Sequence, residues 1–232
     1  MSSPLDLNHI FSHLTEDVYC IVKLSPAFPE YRSGEDIDMF CFDINRVSDK
    51  IIQCAHGYIN DGYTVRSTVL KENCQLHLDF LYENRIEFRF DLYQNLPAYR
   101  KVSVKSGFFS HVIDNRQSKI LTYNNRPYCI YTPCRQDELI MRYLEYVEYF
   151  HDRPDKIKHA NYILDALEKT PADISFLDTL HYYIEIPPID IESNRFARKK
   201  PPLFKRVFFY IVHFPSRIVR RIRRLAAKRR KD

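Results

Sequence analysis

The chain of 232 residues has no tryptophan and only 4 glycines. Neither G-x-G-x-x-G nor G-K-[ST] occurs, which argues against a glycine-rich nucleotide loop of either common kind. No two of the six cysteines are spaced C-x-x-C, so a zinc site of finger type is not expected. No apolar run approaches the ~20 residues of a spanning helix; the longest, Val207–Phe214, falls far short. The start of the chain has no charged residue followed by an apolar run, so no signal peptide is expected. Cytoplasmic residence with reduced thiols follows as the expectation.

What is present is aromatic and charged. Tyr and Phe together supply 33 residues, and the length suits one large domain, or one with an appendage. The net charge of +5 is divided unevenly. Residues 195–232 hold 15 Lys or Arg and one acid, a net +14, which leaves 20 basic and 29 acidic residues, a net −9, in the remainder. An acidic body with a basic tail points to a tail that meets an anionic surface, membrane or nucleic acid.

The patterning predicts an α+β body. Ser3-Pro4 with Leu7, Ile10, Phe11 and Leu14 predicts a first helix, and Val18–Val22 a buried strand. A Pro-containing loop over 25–33 precedes a strand over Asp36–Asp43, and Val47 to Ile59 carries a second helix that ends near Gly62. Tyr63–Val69, Cys74–Tyr82 and Ile86–Tyr93 read as a meander with a turn at Glu83-Asn84-Arg85. Residues 94–131 are mixed, with short strands around Lys101–Val104 and Tyr128–Tyr131, and His77 and His111 both fall in strand-like runs as packed or hydrogen-bonded residues. From Thr132-Pro133 three helical patterns follow, carrying Ile140–Val147, Ile157–Leu167 and Ile174–Leu180. The implied division is 1–131, 132–194 and the tail 195–232.

The stretch with chemical content is Gly34-Glu-Asp36-Ile-Asp38-Met-Phe. Residues two apart on a strand share a face, so Asp36 and Asp38 lie together while Ile37 and Met39 enter a core. Two adjacent carboxylates repel unless a cation lies between them, and a hard divalent ion takes oxygen ligands and leaves room for substrate phosphates. Asp-x-Asp alone is a common tripeptide, and on spacing alone a solvated strand edge is the simpler reading.

Tyr19-Cys-Ile-Val-Lys-Leu-Ser25, the Phe28-Pro-Glu-Tyr31 loop and the Asp36-Ile-Asp38 strand together resemble the nucleotidyltransferase superfamily that includes DNA polymerase beta. The likeness is greatest to small bacterial members found with capsule and lipopolysaccharide biosynthesis genes, covers roughly residues 18–165 and includes Arg153-Pro-Asp-Lys-Ile-Lys-His159. The resemblance implies a mixed sheet with flanking helices, a C-terminal helical subdomain, and Mg²⁺- or Mn²⁺-dependent transfer of a nucleotide from a nucleoside triphosphate to an acceptor, a sugar or glycan among the candidates. Asp36 and Asp38 match its first two carboxylates. The third is Asp79, in Leu76-His-Leu-Asp79-Phe, or Asp91, in Phe88-Arg-Phe-Asp91-Leu; Asp79 is preferred as metal ligand, though a short turn could set Asp91 opposite it. Ser25, Ser33 and Gly34 are the candidates for holding nucleotide, and Arg153, Lys156 and Lys158 for an anionic substrate.

One departure stands out. The superfamily's Gly-Gly or Gly-Ser after the first strand is here Lys23-Leu24-Ser25-Pro26, which makes a non-catalytic scaffold or regulator the first alternative. An RNA-directed or toxin-like transferase, using the basic tail on phosphates, is the second. In the tail, Leu203, Val207, Phe208, Ile211 and Phe214 and then Ile218, Val219, Ile222 and Leu225 recur at helical spacing about Pro215. With Phe208, Phe209 and Phe214 set against Arg217, Arg220 and Arg221, the composition is that of a helix lying in an anionic membrane interface. A peripheral position on the inner face of the cytoplasmic membrane is the expectation.

Overall fold

A computed structural model describes residues 5–70 and 74–185. The predicted tail helix, with Phe208, Phe209, Phe214, Arg217, Arg220 and Arg221, lies outside the described residues, as does the predicted Ser3 cap.

The described chain is mixed α and β. Helix α1 (Leu7–Ser12) opens at Asp6, whose carboxylate accepts the His9 N–H at 3.2 Å. Strand β1 (Tyr19–Ile21) and strand β2 (Glu35–Cys41) follow. The strand expected to run on to Asp43 stops at Cys41, because Asp43 caps α2 (Ile44–Ile59) by accepting the Arg46 N–H at 2.9 Å. That cap starts the helix three residues earlier than its apolar spacing suggests. Strands β3 (Tyr63–Leu70), β4 (Gln75–Tyr82) and β5 (Arg85–Tyr93) form the expected meander. Its turn is two residues, Glu83 and Asn84, both at positive φ, the conformation that keeps a tight hairpin in step with strand twist.

These five strands make one sheet in the order β1-β2-β5-β4-β3. β2 and β5 are parallel and every other pair is antiparallel. The helix and two strands between β2 and β5 serve as the crossover that a parallel pair needs.

Alternation then sorts the side chains. Ile37, Met39, Phe88, Phe90, Leu92, Leu76, Leu78 and Phe80 face one way and are buried beneath α1, α2 and a hairpin of β7 (Gln117–Tyr123) and β8 (Arg126–Thr132), which adds Tyr128 and Ile130. The opposite face carries Asp36, Asp38, Arg89, Asp91, Tyr93, His77, Asp79 and Arg66, as the pairing register requires.

A second core covers the β1–β2 end of that polar face and reaches Tyr93 of β5. It unites Cys20, Val22 and Phe40 with α3 (Gly107–Asp114), α4 (Arg135–Tyr149), α5 (Ile157–Lys169) and α6 (Phe176–Tyr183). Phe40 meets Phe109 at a ring separation of 5.1 Å. Two-residue strands at Ser103–Val104 (β6) and Ile184–Glu185 (β9) pair at the edge of this unit. Residues 107–114 correct the sequence reading. They are helical and include His111, whereas Phe-Phe-x-x-Val-Ile suits a buried strand as well as a helix, and no side-chain cap marks the start. β7 was not foreseen because five of its seven residues are exposed and no alternation betrays it.

Among the described residues no helix is long and apolar enough to cross a membrane. Among the described residues no disulfide joins the cysteines.

Candidate active site

The site lies where β2 and β5 run side by side. Asp38 is the register partner of Asp91, and Asp36 that of Arg89. Neighbouring strands are about 4.8 Å apart, so Asp36, Asp38 and Asp91 form one patch of carboxylates. Gly34, at φ +85°, provides the turn into β2, and its N–H donates to the Glu87 carbonyl at 2.8 Å, pinning β2 to β5 just before the aspartates.

The three carboxylates differ in surroundings. Asp36 is exposed and Asp38 half-buried. The Tyr93 hydroxyl donates to Asp38 Oδ1 at 3.3 Å. Burial, and then the charge of Asp36, raise the Asp38 pKa against the opposing pull of Lys23. Asp91 is 7% exposed, and its Oδ1 accepts no hydrogen bond from any described residue. The nearest candidates stand off, His77 Nε2 at 3.4 Å and Arg89 Nε at 3.8 Å. His77 Nε2 also faces the Gln75 amide nitrogen at 3.0 Å. Burial and then the neighbouring Asp38 push the Asp91 pKa up to about 7.

Asp79, the preferred third carboxylate from sequence, is engaged elsewhere. It takes Arg66 Nε at 3.0 Å and Arg66 Nη2 at 2.5 Å on Oδ2, and Arg89 Nε at 2.6 Å on Oδ1. Burial alone would raise its pKa, but the bonds and charges of the two arginines outweigh it and the net direction is down. The β2–β5 register therefore puts Asp91, rather than Asp79, beside Asp38. Sequence alone left this open, because choosing requires knowing which strand β2 pairs with.

The remaining candidates are scattered. Ser25 is exposed and its hydroxyl accepts the Ala27 N–H at 3.2 Å, and Ser33 is exposed in the turn before β2. Lys156 is bound to Glu145 of α4, while Arg153 pairs with Asp155 at 3.3 Å and Lys158 is exposed. Four residues not singled out from sequence do converge on Asp38. A cavity of about 90 Å³ between sheet and α4 is bounded by Asp38, Lys23, Tyr93, Tyr99 and Glu145. Lys23 Nζ is 3.6 Å from Glu145, and burial lowers its pKa. Only Tyr93 had a legible signal, since it lies two residues beyond Asp91 on the same strand face. A larger groove of about 790 Å³ lies at the other side of the molecule by α1 and the β7–β8 turn, lined by His9, His13 and Arg126 among others. It holds no carboxylate pair, so its size does not outweigh the chemistry at Asp38.

Among the described residues no three His, Cys, Asp or Glu side chains are already drawn together as a metal site. The donor set nonetheless suits a hard divalent ion. It is all oxygen, and one buried carboxylate oxygen accepts no hydrogen bond from the described residues.

The Asp91 shift has a measurable consequence in metal-free protein. Its pKa is about 7 in the fold against the ordinary 3.8, so between those values the folded state holds a proton that the unfolded chain has released. Stability from this group is retained below the lower value and lost as pH rises through the upper one. Asp91→Asn is expected to melt higher than the parent at pH 8 and to differ little from it at pH 4. Equal melting offsets at both pH values, read by thermal unfolding in chelator, would contradict the assignment.

Comparison with known proteins adds no relative. No protein-family model matches the chain, and no curated protein or solved structure matches it significantly.

Proposed function

We propose that the protein binds a nucleoside triphosphate with Mg²⁺ or Mn²⁺ and transfers a nucleotidyl or related phosphoryl group to an acceptor. The observation that carries this reading is the carboxylate patch, with Asp36, Asp38 and Asp91 on one face of adjacent strands and the Asp91 Oδ1 accepting no hydrogen bond from the described residues. Asp36, Asp38 and Asp91 would hold the metal, which when bound would neutralise phosphate charge and polarise the transferred group. The chain's own work is orientation. Tyr93 bonds to Asp38, the segment after β1 and α4 bring Lys23 and Glu145 beside it, and the apolar face beneath fixes the strands. Surface-polysaccharide assembly, with the tail docked on an anionic membrane and a sugar or glycan as acceptor, is the setting that the sequence resemblance supports.

The test is a melting panel of the four nucleoside triphosphates with and without Mn²⁺. The reading expects a shift that needs metal and nucleotide together; no such shift with any of the four would contradict it. A second reading, a non-catalytic binder, draws on Lys23-Leu24-Ser25-Pro26 and on the Ser25 hydroxyl being used by Ala27. It expects the same shift but no nucleotide consumed across a panel of acceptors.

A further inference from the structure

We propose that the terminal nitrogens of Arg89 form a phosphate-binding site held in position by Asp79, so that the substrate is gripped through its phosphates on the β4 side of the carboxylates. This rests on the metal reading of Asp36, Asp38 and Asp91 and adds a site to it.

Asp79 is 1% exposed and is shared by two guanidinium groups. Of the two, Arg89 also faces Asp36 in register and Asp91 at 3.8 Å. One arginine suffices to pair Asp79, so the free end of the second can serve a bound anion beside the neighbouring carboxylates.

The geometry says which arginine has capacity to spare. Arg66 spends Nε and Nη2 on Asp79 and is 55% exposed at the sheet's edge strand. Arg89 spends only Nε, and its two terminal nitrogens bond to none of the described residues. Its side chain is 29% exposed, so the free end is reachable yet partly shielded from water. Anchoring through Nε removes the rotamer freedom that a ligand would otherwise have to restrain. A guanidinium edge so presented matches two oxygens of a phosphate.

Position completes the case. Arg89 is the register partner of Asp36 and stands two residues before Asp91 on the same face. Phosphate oxygens that share a cation with those aspartates come within reach of the next residue along the strand. The competing role is that of a built-in counter-ion to Asp91. Against it, the approach to Asp91 is by Nε at 3.8 Å, beyond hydrogen-bond range, and not by the free end.

The two roles give opposite results. The experiment uses the full chain, with Mn²⁺ binding read by electron paramagnetic resonance and binding of Mn²⁺ with inorganic tripolyphosphate read by calorimetry. Arg89→Gln is expected to keep Mn²⁺ affinity or improve it, and to weaken tripolyphosphate by about tenfold or more, the scale of one lost charge-assisted bond. Asp79→Asn is expected to weaken tripolyphosphate severalfold at unchanged Mn²⁺ affinity, since it loosens Arg89 without touching the ligand. Should Arg89→Gln not fold, Arg89→Lys carries the comparison, because it keeps the charge and loses the fork. Tripolyphosphate affinity equal to the parent's in the Arg89 variant, with tighter Mn²⁺, would overturn the proposal in favour of a counter-ion. A parent that binds Mn²⁺ but no tripolyphosphate would overturn it while sparing the carboxylate site. A parent that binds neither would overturn the carboxylate reading and this one with it.

Discussion

Asp36→Asn and Asp38→Asn, made separately, are expected to abolish the melting shift that requires metal and nucleotide together. The expected loss of Mn²⁺ affinity is about 100-fold or more, beyond the 10- to 100-fold typical of a residue that merely supports a ligand. The change is isosteric, and both side chains lie off the apolar face, so no core contact is lost. Asp38 faces Asp91 across the strands and Asp36 adds to the repulsion, so metal-free variants should melt at or above the parent temperature. Loss of binding with an equal or raised melting point is the joint signature. A variant that loses binding because it unfolds would lack the second half of it. A variant that binds metal and nucleotide as the parent does would place the site elsewhere.

The second large effect belongs to the layer beneath. Phe90 is 0% exposed on β5, one residue before Asp91 and pointing the other way. Its ring meets Phe88 at 5.1 Å, Phe80 at 5.7 Å and Phe11 of α1 at 6.1 Å. Phe90→Ala removes a large buried side chain from the strand that joins β2 to β4 and leaves a void those three rings cannot close. A cost of about 3–5 kcal/mol is expected, read as a lower urea midpoint at unchanged slope. A cost below about 1 kcal/mol would mean that the void collapses, and that the apolar face is not what holds Asp91 beside Asp38.

These residues also show what the amino-acid order makes legible. The Asp36-Ile-Asp38-Met strand could be read directly, because alternation of acid and apolar side chains is a local property. So could the meander, where Tyr82 and Arg85 close on a two-residue turn. Asp43 reads as strand from sequence, since a cap and a strand end look alike until the helix is known to begin at Ile44. Choosing Asp91 over Asp79 was beyond sequence for a different reason. It depends on the parallel pairing of β2 with β5, two strands more than forty residues apart, and both aspartates sit in the same apolar-flanked pattern. Lys23 and Glu145 meet across more than a hundred residues, so no spacing could have joined them. The helix at Gly107–Asp114 was missed because six residues of Phe-Phe-x-x-Val-Ile satisfy two periods at once.

The measurement that bears most directly on the central claim is anomalous diffraction from crystals grown with Mn²⁺ and a non-hydrolysable nucleoside triphosphate. A manganese peak is expected in contact with carboxylate oxygens of Asp36, Asp38 and Asp91, with phosphate oxygens on its far side. A peak held by Asp79, or a bound nucleotide with no manganese at these three aspartates, would contradict it.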